Sequence, residues 1–242
     1  MADAAAPRQR RGAPGFLIFA LGGFALLVGL GTWQIDRLHS KEASIADRTS
    51  TYALPPVELT GVTAADVAPW RRVTVSGTFL HDNEVLVGPR ARRGMPGWHV
   101  VTPLRLEGGG IVVVDRGWTP EHLMEQALRP GGLATGRVTV EGVLKRPAPP
   151  GFFTPANQPA AGQWFTVDPA ALARSWKLAN VAPWWVEAAA RAGDTTYPVG
   201  AAGLVLPGNN HLQYAITWYL LAAALAVIAV LRMRAQRHAD SV

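Results

Sequence analysis

The sequence predicts an α+β membrane protein: two transmembrane helices, one at each end, flanking a mostly antiparallel β-sheet or partly closed barrel with short helices. Three observations carry that prediction. Phe16 to Ile35 and Leu212 to Leu231 hold no charged residue, although 17% of the chain is charged. Between them, apolar residues fall at every second position and are punctuated by Gly, Pro, Asn and Asp, the signature of antiparallel strands. The mean hydropathy of +0.12 is high for that charge content, as expected when apolar residues gather in blocks.

Each apolar run is about 20 residues, which as a helix rises roughly 30 Å, the hydrocarbon thickness of a bilayer. A buried core helix is normally shorter and polar on one face. A cleaved signal peptide needs a short apolar region followed by a small-x-small site. The only candidate, Ala20-Leu21-Gly22, lies inside the first run, which continues to Trp33 and Gln34, so this run reads as an uncleaved anchor. Ala25 and Gly29 stand four apart in it, with Leu21 and Trp33 on the same face. That is a small-residue stripe suited to close helix approach.

The flanks give the orientation. Arg8, Arg10 and Arg11 precede the first run, and Arg232, Arg234 and Arg237 follow the second. Lys and Arg near the ends of spans mark the cytoplasmic side, so both termini are expected inside. The expected organisation is a cytoplasmic tail (1–15), a first span (16–35), a non-cytoplasmic α+β domain (36–210), a second span (211–231) and a cytoplasmic tail (232–242).

After the first span the chain keeps a helical character through Leu38, Ala43 and Ile45, until Leu54-Pro55-Pro56 ends it. Arg72–Phe79 alternates as a strand, and His81-Asp82-Asn83 turns it into Glu84–Val87. A second hairpin joins Trp98–Leu106 to Ile111–Asp115 through Gly108-Gly109-Gly110. Arg137–Leu144 is a fifth strand and Gln163–Val167 a candidate sixth. Asp168-Pro169 starts a short helix, with Asp as cap and Pro in the first turn. Trp184–Glu187 returns a last strand, and Pro147–Pro159 is Pro-rich and irregular.

Composition excludes several functions. The net charge of +6 and pI of about 10.3 rest largely on the tails, which leaves the domain only weakly basic. A nucleic-acid reader wants its basic stripe on the fold itself, so no nucleic-acid partner is expected; basic flanks favour anionic lipid instead. With no cysteine there is no disulfide, thiolate metal site or Cys nucleophile. Nucleophile-elbow, zinc-helix and phosphate-loop motifs are absent too, so the chain is not expected to be an enzyme. Asp66, Asp82, Glu84 and Asp115 sit at strand ends or turns. Arg90, Arg92 and Arg93 form the densest basic cluster of the domain, read as a solvated loop or as a docking point for an acidic partner or lipid headgroups.

The second span begins Asn209-Asn210-His211-Leu212-Gln213-Tyr214-Ala215. Asn210 with Gln213 resembles a capping box, which starts the helix here. His211, Tyr214, Ala215 and Trp218 then share one stripe. A neutral imidazole is a common axial ligand of haem iron, and a Trp two turns deeper suits a flat macrocycle. The same residues also fit an interfacial aromatic belt that binds nothing. His39 is the main rival ligand; His81, His99 and His122 lie in the sheet region, and His238 beyond the second span.

Several blocks in order resemble the surfeit locus protein 1 family of cytochrome c oxidase assembly factors. They are Gly31-Thr32-Trp33-Gln34 with Arg37 and Lys41, Arg72-Val73-x-Val75-x-Gly77-x-Phe79, Gly88-Pro89-Arg90 and Gly97–Leu104. Val114–Pro120 and Asn209–Ala215 with Trp218-Tyr219 complete the set. The resemblance runs through the chain and is weakest from Ala148 to Gly208; Asp115 stands where an Asn is more usual. It implies an accessory protein that assists maturation of the haem a-containing oxidase subunit. It further implies haem a as a transient cofactor, bound by His211 as axial ligand to the iron and by Trp218. The implied partners are that subunit, the haem a synthesis machinery and the lipid bilayer, and the implied location is a bacterial inner (cytoplasmic) membrane with the domain periplasmic. The alternative is a haem-free scaffold that stabilises an oxidase subunit intermediate, in which His211 and Trp218 are interface anchors.

Overall fold

The computed structural model describes residues 13–64, 66–190, 193 and 196–239. The arginines that precede the first span, Arg8, Arg10 and Arg11, lie outside them. The chain divides into two compact units. One combines the segment up to Ala46 with the segment from Pro207, and the other is Asp47–Leu206.

The first unit is a pair of helices, α1 (Ala13–Ala53, of which the part to Ala46 belongs here) and α3 (His211–Ala239). Both are long and apolar enough to cross a membrane. They run antiparallel: Gln34 meets His211, Gly31 meets Tyr219, Gly23 meets Leu225 and Phe16 lies under Arg232. Ala215, Ala222 and Ala229 repeat every seven residues on α3 and are only 1, 3 and 9% exposed. That spacing keeps small residues on one stripe, so α1 approaches closely through Ala20, Gly23 and Gly31. The expected Ala25–Gly29 stripe points away. Both residues are exposed, and a Cβ on Gly29 would meet nothing within 4 Å. Small residues occur on both faces of α1, and the alanine heptad of α3 selects which face is used.

The second unit is a small barrel. Strands β1 (Val57–Leu59), β2 (Arg72–Phe79), β3 (Val85–Val87), β4 (Gly97–Leu106), β5 (Ile111–Pro120), β6 (Val138–Lys145) and β7 (Val181–Ala188) form one sheet. Its order is β1-β2-β6-β7-β5-β4-β3, and β2 also pairs with β4. The pairings β2–β6–β7–β5–β4–β2 therefore close a five-strand ring, with β1 and β3 as short additions. All pairs in the ring are antiparallel except β5–β7. Gly77 sits at the closure, opposite Leu106 on β4 and Val138 on β6. A Cβ there would stand 2.1 Å from the Arg105 carbonyl oxygen, so only glycine lets β2 bridge both neighbours.

Alternation fills both sides of the sheet. Val73, Val75, Leu104, Val112, Val114, Leu144, Trp184 and Val186 point into the barrel. Val101 and Val113 point out, where Val87, Trp164 and Leu172 cover them. Leu172 comes from α2 (Pro169–Trp176), whose first amides, Ala170 and Ala171, donate to the Asp168 carboxylate as the sequence predicts. The helix end before Pro55 also stands as expected: α1 stops at Ala53, and the Arg72 guanidinium donates to the carbonyls of Tyr52, in its last turn, and Leu54, just past it.

Three strand expectations are corrected. His81–Asn83 is a 3-10 turn, and β3 pairs with β4 rather than folding back on β2. β5 continues past Asp115 to Pro120, because a bulge opposite Val100–Val101 absorbs Arg116 as an extra residue. Gln163–Val167 makes only isolated bridges. The Asn157 side chain accepts from the Phe165 and Thr166 amides and donates to the Thr166 carbonyl, and this engages the groups a ladder would use.

Candidate functional site

The start of α3 holds the predicted site residues. The helix begins at His211, as expected, but the cap differs. The Asn209 side-chain oxygen accepts from the His211 amide at 3.4 Å, while Asn210 contributes its backbone carbonyl to the Tyr214 amide. His211 Nδ1 lies 2.7 Å from Oε1 of Gln34 on α1. An amide oxygen only accepts, so in the neutral ring this bond pairs a proton on Nδ1 with a lone pair on Nε2. That is the tautomer an iron ligand needs, held by the kind of outer partner that orients metal-binding imidazoles.

Trp218 lies two turns along the same stripe, partly buried, with its indole nitrogen enclosed and without an acceptor among the described residues. A buried donor without an acceptor is unfavourable by about 1–3 kcal/mol and calls for an explanation. Ala215 between them is buried, so the stripe faces α1. Tyr214, placed on the stripe by its spacing, is exposed. Tyr219 completes the contact: its hydroxyl is 3.2 Å from the Thr32 hydroxyl, and its ring packs where a side chain on Gly31 would stand.

The pair fits a haem ligand on two counts, an imidazole with Nε2 as its lone-pair nitrogen and an enclosed N–H in want of an acceptor. Among the described residues no three His, Asp or Glu side chains cluster as a metal site. Gln34 is the residue that sequence reasoning missed. Its signal was faint: it is one of few polar residues in an otherwise apolar run.

The other histidines are placed differently. His39 and His122 are exposed. His81 Nε2 bonds the Ala134 carbonyl. His99 on β4 bonds Asp115 on β5, Nδ1 to Oδ2 at 2.7 Å, and the other carboxylate oxygen accepts from the Gly117 amide. Burial alone would lower the His99 pKa. The hydrogen bond and charge of Asp115, helped by Glu187 and opposed by Arg90, outweigh burial and raise it. A raised folded pKa stabilises most below the unfolded value of about 6.5, and the contribution fades as pH rises through the folded value. The melting-point difference between the wild type and His99→Gln is therefore expected to be largest near pH 5 and to shrink towards pH 8.

Glu84, read from sequence as turn chemistry, is buried between two arginines. Its carboxylate lies 2.6 Å from Arg129 and 3.4 Å from Arg116. Arg116 also donates to the Gly132 carbonyl and stacks on Phe79. Its pKa is lowered by burial, with Glu84 opposing and Arg129 reinforcing the shift. Arg116 is thus a structural residue of the barrel wall.

The model of the SURF1 family matches residues 21–223. A SURF1-like protein of Monosiga brevicollis is 34% identical, over 85% of this chain and 83% of its own length. Human surfeit locus protein 1 is 31% identical, over 83% of this chain and 71% of its own. A SURF1-like protein of the bacterium Rickettsia felis is 28% identical, over 87% of this chain and 93% of its own.

Proposed function

The chain belongs to the SURF1 family, and from that premise we propose that it is a non-enzymatic cytochrome c oxidase assembly factor that binds haem a and assists its insertion into the catalytic subunit. The observation that supports the haem reading is the Gln34–His211 hydrogen bond, which is compatible with an imidazole tautomer suited to iron. The two apolar helices, antiparallel with Arg232 at the end near Phe16, support a two-span chain with both termini on the cytoplasmic side. The domain between them is then periplasmic, in a bacterial inner membrane.

When bound, haem a would supply its redox-active iron, which His211 would hold through Nε2. Gln34 would keep the imidazole from turning, with the proton on Nδ1, and Trp218 would offer its enclosed N–H to a polar group of the ligand. A single imidazole would hold iron weakly, which suits a cargo that has to be passed on. The haem-free scaffold is favoured by a different observation: His211 and Trp218 face α1, as residues that only join two helices would.

The test is an optical spectrum of the detergent-purified full chain from cells that make haem a, beside His211→Ala and Gln34→Leu. The expected result is a haem a band in the wild type, lost in His211→Ala and reduced in Gln34→Leu. A colourless wild type, or an unchanged band in His211→Ala, would overturn the haem reading in favour of the scaffold.

A further inference from the structure

The link between β3 and β4 carries Arg90, Arg92 and Arg93, all within the second unit. Its tip is a tight, closed turn. The Arg92 amide donates to the Met95 carbonyl at 2.9 Å, and the Met95 amide donates back to the Arg92 carbonyl at 3.0 Å. Both residues between them have positive φ, +51° at Arg93 and +79° at Gly94. That is the pattern of a primed two-residue hairpin, whose first position is normally Asn, Asp or Gly. An arginine there runs against local preference, so turn chemistry does not account for it. The base of the turn is fixed as well. The Arg90 amide donates to the Gly97 carbonyl at 2.7 Å, and its own carbonyl accepts from the Trp118 indole at 2.9 Å. The Arg90 guanidinium donates to the Phe165 carbonyl, and that of Arg92 lies 5.9 Å from the Trp118 ring centre.

Charge and shape define the occupant. No acidic side chain among the described residues pairs with Arg92 or Arg93. Arg93 is exposed, and so is Met95 two positions on. A guanidinium is a planar fork that matches a carboxylate through two parallel hydrogen bonds. Two such forks at a spacing set by a closed turn suit a defined pattern of carboxylates, with less ordering left to do on binding. Met95 adds the adaptable apolar contact that protein interfaces use. A bilayer contact would want a wide apolar face below the cations, and this turn offers a single methionine.

We propose that the Arg92–Met95 turn is a docking surface for an acidic segment of a partner protein, whose carboxylates pair with Arg92 and Arg93. The anchored base holds the turn in its binding shape before the partner arrives. From the assembly reading the proposal takes only that the chain works on another protein, and it uses none of the residues of the helix pair.

The test titrates fluorescein-labelled hexaglutamate with the full chain in uncharged detergent and reads anisotropy. Saturable binding is expected, released by molar salt. The double variant Arg92→Gln with Arg93→Asn is expected to bind about tenfold more weakly, the effect of losing an arginine at the centre of a contact. Arg234→Gln with Arg237→Gln, in the terminal tail, is expected to bind as the wild type does. Arg93→Asn alone suits the turn better and is expected to melt no lower than the wild type while binding less peptide. Equal binding by the double variant, or a lower melting point for Arg93→Asn, would overturn the proposal by making these residues solvated or structural. The chain has no cysteine, so Met95→Cys gives a single site for the fluorophore NBD. In phosphatidylcholine nanodiscs the label is expected to stay in water with or without phosphatidylglycerol. A blue shift with phosphatidylglycerol would overturn the protein assignment in favour of lipid headgroups. Hexaglutamate reads the turn without any oxidase. A chain that binds it but fails to co-purify with a tagged oxidase subunit would therefore count against the assembly reading and not against this surface.

Discussion

Replacing Glu84 by Gln is expected to destabilise the barrel by about 3–5 kcal/mol, the usual effect of removing one partner from a buried ion pair. The carboxylate is the only acidic side chain bonded to Arg116 and Arg129 among the described residues. Arg129 is almost wholly buried, and one of its terminal nitrogens already has no acceptor among the described residues. Its other donors reach the Leu123 and Met124 carbonyls, which satisfy hydrogen bonds but not charge. Without Glu84, two guanidinium groups face each other in a poorly solvated wall. Chemical denaturation of the full chain in detergent measures the loss. The double variant Glu84→Gln with Arg129→Met is expected to recover part of it, because one of the unpaired charges leaves with its partner. A single variant within about 1 kcal/mol of wild type would mean that solvent reaches this cluster.

How legible such features were in the sequence depends on their range. The spans and the Arg72–Phe79 strand were legible because both periods are local, a charge-free run and an alternation of two. The Asp168 cap was legible for the same reason, since Asp and its two amides lie within three residues. Ring closure was not, because it rests on Gly77 meeting strands some thirty and sixty residues away. The Glu84–Arg129 pair was hidden likewise: it spans 45 residues, and each member alone resembles loop chemistry. In the candidate site, His211 and Trp218 were singled out by spacing and resemblance. The face they present was not, since whether a stripe meets lipid or a second helix depends on which small residues the partner offers. Gln34, 177 positions from His211, is beyond the reach of any local pattern.

The block Asp115-Arg116-Gly117-Trp118 shows what such a motif does once folded, and Gly117→Ala tests it. Each residue has a separate task. Asp115 holds His99, Arg116 is the bulged residue that reaches Glu84, and Trp118 exchanges both backbone hydrogen bonds with Val199. Gly117 makes the arrangement possible. Its φ of +120° is a conformation that L side chains rarely adopt, and a Cβ would lie 2.1 Å from the Val199 carbonyl oxygen. Backbone strain of about 1–3 kcal/mol then adds to a clash with main chain that cannot turn aside, costing about 1–3 kcal/mol more. Gly117→Ala is therefore expected to lose roughly 2–6 kcal/mol of stability and to loosen the hydrogen bond from the residue 117 amide to Asp115. That second effect separates it from a generic destabilisation. With Asp115 less well held, the His99 pKa is expected to fall back towards its ordinary value, read by NMR titration of the imidazole under conditions where the variant is folded. A His99 titration unchanged from wild type would show that the Gly117 amide does not help hold the Asp115 carboxylate against the imidazole.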